Sequence, residues 1–115
     1  MRIPKSYTIF GNKVTVKEVD RCEDDNYGEW NDITETITLA HRIKSVGEIV
    51  SLTQTQIEST FWHEYFHSCQ WYLGKPYDEV EAQSYANMMM EFIKSSGIKI
   101  NPNIVHEPSN PVDDE

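Results

Sequence analysis

Hydrophobic and polar residues alternate in the first part of the chain with the period expected of β-strands. Val14 and Val16 alternate with polar neighbours, which predicts a strand with one buried face. The segments 7–10 and 13–19 flank Gly11-Asn12, a dipeptide typical of a two-residue hairpin turn. The chain therefore begins with a predicted β-hairpin.

A third strand is predicted at residues 33–39, where the same alternation returns. One face carries Ile33, Glu35, Ile37 and Leu39, and the other carries Thr34, Thr36 and Thr38. The strand is either an ordinary edge strand, protected by its threonine and glutamate side chains, or an edge that accepts an extended peptide as an extra strand.

The pattern changes to a helical period from residue 53 onward. Apolar and aromatic residues recur at helical spacing over residues 53–73, which contain no glycine or proline. Thr53 with Gln56, or Thr55 with Glu58, predicts a capping box at the start of this helix. A glycine at 74 and a proline at 76 predict its end.

A second helix is predicted at residues 78–94, with Gly97 at its end. Its packing face consists of Ala82, Ala86, Met89, Met90 and Ile93. Three strands and two helices nearly fill the 115 residues, which predicts one α+β domain over residues 1–100, a three-stranded, largely antiparallel sheet packed on two helices. Residues 101–115, rich in proline and ending in three acidic residues, predict an irregular acidic tail.

The first predicted helix contains His-Glu-Tyr-Phe-His at residues 63–67, the HExxH arrangement of zinc hydrolases. Side chains four residues apart lie on one helix face, so His63 and His67 can bind the same zinc ion, with Glu64 beside it. Two imidazoles and one further ligand leave a fourth position open for water. Zinc lowers the pKa of that water, and Glu64 can then take its proton.

The third ligand is predicted on the second helix, where Glu79 and Glu81 are the candidates. Glu79 lies three residues before Ala82 and therefore shares the inward face. Glu81 is turned away from that face, and with Asp78 it has the spacing of a helix cap and its reciprocal partner. We favour Glu79 and keep Glu81 as the alternative.

These motifs resemble those of the ImmA/IrrE-type metallopeptidases, small gluzincins also called minimal zincins. Their pattern is HExxH followed by E-x-x-A-x-x-F-A, and here residues 63–67 are followed by Glu79-x-x-Ala82-x-x-Tyr85-Ala86, with tyrosine in place of the usual phenylalanine. The similarity extends over roughly residues 27–93. In that family a glycine-containing turn, matched here by residues 27–32, precedes an edge strand along the active-site cleft, matched here by residues 33–39. The opening Ile3-Pro4-Lys5-Ser6 also resembles phage or prophage members of the group.

The motif and the resemblance together predict a zinc-dependent endopeptidase with a zincin-like fold and a protein or peptide substrate. Zinc is held by His63, His67 and Glu79, while Glu64 deprotonates the water and then protonates the leaving amine. The substrate is expected to lie along the third strand, where the binding residues are Thr34, Glu35, Thr36, Ile37 and Thr38.

The alternative function is a non-catalytic zincin-fold binding or regulatory module with structural metal or none. Closure of the fourth coordination position by His106, or by a carboxylate of Glu107 or Asp113, would favour this alternative. For the peptidase, His106, Tyr72 and Tyr77 are candidate donors to the transition state. Another divalent metal is a further alternative, since the order of affinities does not by itself select zinc.

Net charge narrows the classes of partner. The formal charge of −9 argues against binding of nucleic acid through its phosphates. The sequence has no apolar stretch near 18 residues and no charged-then-apolar leader, so neither a membrane span nor a signal peptide is predicted. A cytoplasmic location is expected.

Overall fold

The structure is a computed structural model that describes residues 1–98. Its elements in chain order are β1 (Ser6–Ile9), β2 (Asn12–Val19), a 3₁₀ helix (Glu23–Asp25), β3 (Gly28–Asn31), β4 (Thr36–Ala40), β5 (Arg42–Ser45), β6 (Glu48–Ser51), α1 (Gln54–Tyr72) and α2 (Glu79–Ser96). The predicted α+β class is therefore confirmed. The predicted tail, residues 101–115, lies outside the described residues.

The sheet differs from the prediction, because it has four strands in the order β1-β2-β4-β3. The pairs β1/β2 and β3/β4 are antiparallel, whereas β2 and β4 run parallel. A separate two-stranded sheet is formed by β5 and β6. The prediction of a single three-stranded sheet is therefore wrong.

The predicted strand at residues 33–39 is correct only in its second half. The side-chain oxygen of Asn31 accepts hydrogen bonds from the main-chain N–H groups of Ile33 (2.9 Å) and Thr34 (3.0 Å), which closes a turn after β3. Ile33 is consequently 88% exposed, while Ile37 and Leu39 are buried as predicted. Ile33 lies in this turn, although its place in the sequence fits the alternation of a strand.

The edge of the sheet does not lie at the segment that the sequence pattern indicated. Strand β4 pairs with β2 on one side and with β3 on the other, so its main-chain groups have no free side for an added peptide. The prediction that residues 33–39 form an edge strand is therefore wrong. The edge that faces α1 is β3, which was predicted to be a turn.

The sequence pattern did not predict the hairpin of β5 and β6. Val46 and Gly47 both have positive φ (49° and 79°), as a tight two-residue hairpin turn requires. Arg42 donates two hydrogen bonds to Asp20 (2.6 and 2.7 Å), which hold the base of the hairpin. Only Ile43 of this hairpin is buried. A hairpin with so few buried residues does not need the regular alternation of apolar and polar residues by which strands are predicted.

The helices agree closely with the sequence pattern. The capping box of Thr53 and Gln56 begins α1, as predicted. From α1, Ile57 and Phe61 pack in the core against the sheet residues Val14, Val16, Ile37 and Leu39. On α2, Ala82 and Ala86 are fully buried, so the two helices pack closely along this face.

Gly28 lies where the edge strand passes closest to α1. A Cβ at this position would lie 2.6 Å from Cγ2 of Thr60 and 3.0 Å from the carbonyl oxygen of Thr38. Only glycine fits here without displacement of a neighbour. This close approach places the edge strand directly beside the helix that carries the HExxH residues.

Gly28→Ala should therefore destabilise the protein by about 1–3 kcal/mol, measured by urea unfolding, because the added methyl group overpacks the contact with α1. Thr60→Ser removes the clashing methyl group and keeps the hydroxyl that donates to the carbonyl oxygen of Gln56 (2.9 Å). The double variant should regain part of the lost stability. Strictly additive losses would contradict a clash between these two side chains.

Candidate metal centre

The two predicted histidines and Glu79 meet at one point between α1 and α2. Nε2 of His63 lies 2.8 Å from Oε1 of Glu79, and Nε2 of His67 lies 3.1 Å from Oε2 of the same carboxylate. The candidate ligand atoms of the three side chains all lie within 4.8 Å of one another. Folding thus brings together the three residues expected to hold a metal.

Glu81, the alternative third ligand, points elsewhere. Its carboxylate accepts hydrogen bonds from Nζ of Lys75 (2.9 Å) and from Nε2 of Gln70 (2.8 Å). The side chain of Asp78 caps α2 by accepting from the N–H of Glu81, as predicted. Glu81 does not return the predicted reciprocal cap, because its side chain is engaged by Gln70 and Lys75.

Both histidines are oriented by glutamines that the sequence pattern did not single out. Nδ1 of His63 donates to Oε1 of Gln83, and Nδ1 of His67 donates to Oε1 of Gln70, each over 2.8 Å. An amide oxygen only accepts, so each glutamine favours a proton on Nδ1, the tautomer in which the lone pair of Nε2 can bind a metal. Gln70 follows His67 by three residues and was detectable from helix spacing, whereas the position of Gln83 depends on helix packing.

The chemistry of these residues fits a metal ion. His67 is only 6% exposed, and its Nε2 forms no hydrogen bond within residues 1–98, although Oε2 of Glu79 lies 3.1 Å away. A buried nitrogen without a partner is unfavourable. Ligands of tetrahedral zinc lie about 3.3 Å apart at bond lengths of about 2.0–2.1 Å. The two distances from the histidines to Glu79, 2.8 and 3.1 Å, are slightly shorter, and all three ligand atoms lie within 4.8 Å of one another.

The two glutamates of the centre have pKa values displaced in opposite directions. Burial raises the pKa of Glu64, which is 8% exposed, and the opposing effect of His63 and His67 is smaller. For Glu79, partial burial acts to raise the pKa, but the close contacts and charges of the two histidines outweigh it and lower the value. Glu79 therefore stays ionised, whereas Glu64 holds its proton more tightly than a solvated glutamate does.

Two cavities of about 400 and 370 Å³ flank Glu64 and follow the edge strand. Asn26, Gly28 and Glu64 line both of them. The first cavity extends toward the start of α1 and is also lined by Tyr27, Gln56, Ser59, Thr60, His63 and Gln83. The second is also lined by Glu29, Trp30, His67, Tyr77 and Glu79. Together they form a groove with Glu64 at its middle.

Tyr77 forms one wall of this groove. Its ring packs edge-on against His67 at 5.6 Å between ring centroids. Its hydroxyl accepts from Nε1 of Trp30 (2.9 Å) and donates to Asp32 (2.7 Å). Burial and the hydrogen bond to Asp32 raise the pKa of Tyr77 to about 12, so the phenol keeps its proton at neutral pH.

The other predicted site residues lie away from the centre or outside the described part of the chain. Residues 34–38, expected to contact substrate, line neither cavity. Tyr72 donates to Glu35 and does not line the groove. His106, Glu107 and Asp113 lie outside the described residues.

Between residues 1 and 98, no helix combines the length and the hydrophobicity needed to cross a membrane. Comparisons with protein-family models, curated proteins and solved structures found no match. Any function proposed for this centre therefore rests on the residues and distances described above.

Proposed function

We propose that this protein is a zinc-dependent endopeptidase with a zincin-like fold of the ImmA/IrrE type. The observation that carries the proposal is the trio of His63, His67 and Glu79 beside the buried Glu64, midway along a groove. A zinc ion held by the trio would supply Lewis acidity, polarising the scissile carbonyl and lowering the pKa of a water molecule.

In this proposal Glu64 moves the protons. It takes one from the attacking water and then delivers it to the nitrogen of the leaving amine. Its raised pKa supports both steps, because a carboxylate with greater proton affinity is a stronger base and still releases the proton to an amine. Gln83 and Gln70 keep the two imidazoles in the tautomer that binds metal.

The edge strand β3 is the proposed binding surface for the peptide main chain. The carbonyl of Tyr27 accepts from the N–H of Ala40 (2.9 Å), so in the alternating antiparallel ladder Tyr27, Glu29 and Asn31 pair with β4. The N–H and C=O groups of Gly28 and Trp30 then point away from β4. They are available to an extended peptide that adds as a further strand.

The cavities on both sides of Glu64 support endopeptidase rather than exopeptidase activity. Each can receive a side chain, one on either side of the scissile bond. A peptide bound along β3 would thus extend in both directions from the reacting carbonyl.

The test is digestion of a peptide library by the zinc-loaded protein, with new termini identified by mass spectrometry. We expect the wild type to generate cleavage sites within peptides, and Glu64→Gln at equal zinc content to generate none above background. Identical products from both proteins would point to a contaminating protease and overturn the assignment. No cleavage by a fully zinc-loaded wild type would favour a non-catalytic binding module.

A further inference from the structure

Gln70 uses all the hydrogen-bonding capacity of its side-chain amide inside the protein. It is 3% exposed. Its Oε1 accepts from Nδ1 of His67 (2.8 Å) and from the N–H of Asp78 (3.3 Å). Its Nε2 donates to the carbonyl oxygen of Asp78 (3.2 Å) and to Oε1 of Glu81 (2.8 Å). One amide group thus connects a histidine of α1 to the first turn of α2.

We propose that Gln70 is the positioning residue that assembles the metal centre from the two helices. It holds the proton of His67 on Nδ1, and it holds both main-chain groups of Asp78, the residue directly before Glu79. The proposal rests on the metal centre of the proposed function, but not on peptide hydrolysis.

The orientation of this amide is determined by its surroundings. Nε2 faces two acceptors, the carbonyl of Asp78 and the carboxylate of Glu81, so a flipped amide would place an oxygen against both. His67 therefore always meets an acceptor, and its Nε2 is left free to bind the metal. Asp78 and Glu81, at the start of α2, thus fix the orientation of Gln70 and with it the tautomer of His67.

The position of the Glu79 carboxylate depends on the contact between Gln70 and the main chain of Asp78. Its side chain is 77% exposed, and among the described residues its carboxylate is held only by the two histidines. Little packing therefore restrains the side chain, so the position of its main chain decides whether the carboxylate meets the imidazoles. That position is set one residue earlier, where Gln70 holds Asp78.

Gln83 provides a matched comparison. It makes the same 2.8 Å contact with Nδ1 of its histidine, His63. It is exposed, however, and its Nε2 donates to Asn87 within the same helix. Gln83 thus orients one imidazole, whereas Gln70 orients an imidazole and also holds the start of α2.

The experiment compares Gln70→Leu with Gln83→Leu by zinc affinity, in competition with a chromophoric chelator, and by the visible absorption of the Co²⁺-loaded protein. We expect Gln83→Leu to weaken zinc binding by about tenfold and Gln70→Leu by about a hundredfold. The Co²⁺ bands, which report the number and geometry of ligands, should change clearly only in Gln70→Leu. Far-UV circular dichroism of each metal-free variant checks its fold.

A second pair of variants tests the contact while keeping a polar side chain at position 70. Gln70→Glu keeps an acceptor for His67 but removes both donors and opposes the carboxylate of Glu81 at 2.8 Å. The additional substitution Glu81→Gln places an amide N–H donor opposite the carboxylate at position 70. We expect Gln70→Glu alone to lose zinc affinity, and the double variant to recover most of it together with the wild-type Co²⁺ spectrum.

The outcomes separate this inference from the proposed function. Wild type that binds zinc, with Gln70 variants of unchanged affinity and unchanged Co²⁺ spectrum, would overturn the role of Gln70 alone. Wild type that binds no zinc would overturn the metal centre and, with it, both proposals.

Discussion

Glu64→Gln should lower kcat/KM for a cleaved peptide by about two to four orders of magnitude, the usual contribution of a positioned general base. The amide has nearly the same shape as the carboxylate, yet it cannot take a proton from water. Because Glu64 is not one of the three side chains grouped as ligands, the variant should still bind about one zinc per chain. Rates measured beside metal content by elemental analysis check both parts.

Glu58→Gln is the matched control, since Glu58 lies on the same helix but faces the amino terminus at 3.7 Å. We expect it to retain wild-type activity. Hydrolysis by zinc-loaded Glu64→Gln at the wild-type rate would exclude Glu64 as the base. Loss of zinc from Glu64→Gln would instead show that Glu64 supports metal binding.

Zinc should raise the melting temperature of the wild type strongly, and His67→Ala should abolish this effect. At a free zinc concentration one hundred times Kd, binding to the folded state alone adds about 2.7 kcal/mol to the free energy of unfolding. For a domain of this size that corresponds to a shift of roughly 10 °C. His67 is the buried member of the proposed ligand set, and its Nε2 lacks a hydrogen bond within the described part of the chain, so we expect its replacement to remove the zinc-dependent gain.

His41→Ala controls for nonspecific binding of zinc to histidine. His41 is exposed and pairs with Glu18 at 2.6 Å, away from the proposed ligands. Thermal unfolding with and without zinc should give the full shift in this variant. An equal zinc-induced shift in His67→Ala and the wild type would rule out the centre as the stabilising site.

Features encoded over a few neighbouring residues were predictable from the sequence. The first helix, its capping box at Thr53 and the shared face of His63 and His67 all depend on contacts within one or two helical turns. The placement of Glu79 on the side of α2 that faces α1 also followed from helical periodicity, because Ala82 and Ala86 mark the packing face. Local spacing was therefore sufficient for the candidate ligands.

Features that depend on contacts between distant segments were decided by the tertiary structure. Alternation in residues 33–39 is the same for an edge strand and an interior strand, and only pairing with β2 and β3 places β4 inside the sheet. The side chain of Asn31 closes the turn that exposes Ile33, against the strand pattern. The groove consequently follows β3 instead of the predicted segment.

The candidate metal centre was likewise predictable only in its local features. Its ligand types and their helical spacing are properties of the sequence, since an α-helix places residues i and i+4 on one face wherever it lies. The contact of Glu79 with the histidines, the engagement of Glu81 by Lys75 and the two glutamines on the imidazoles arise only when α2 packs on α1. Such contacts depend on the distance and rotation between two helices, which residue spacing along one chain does not specify.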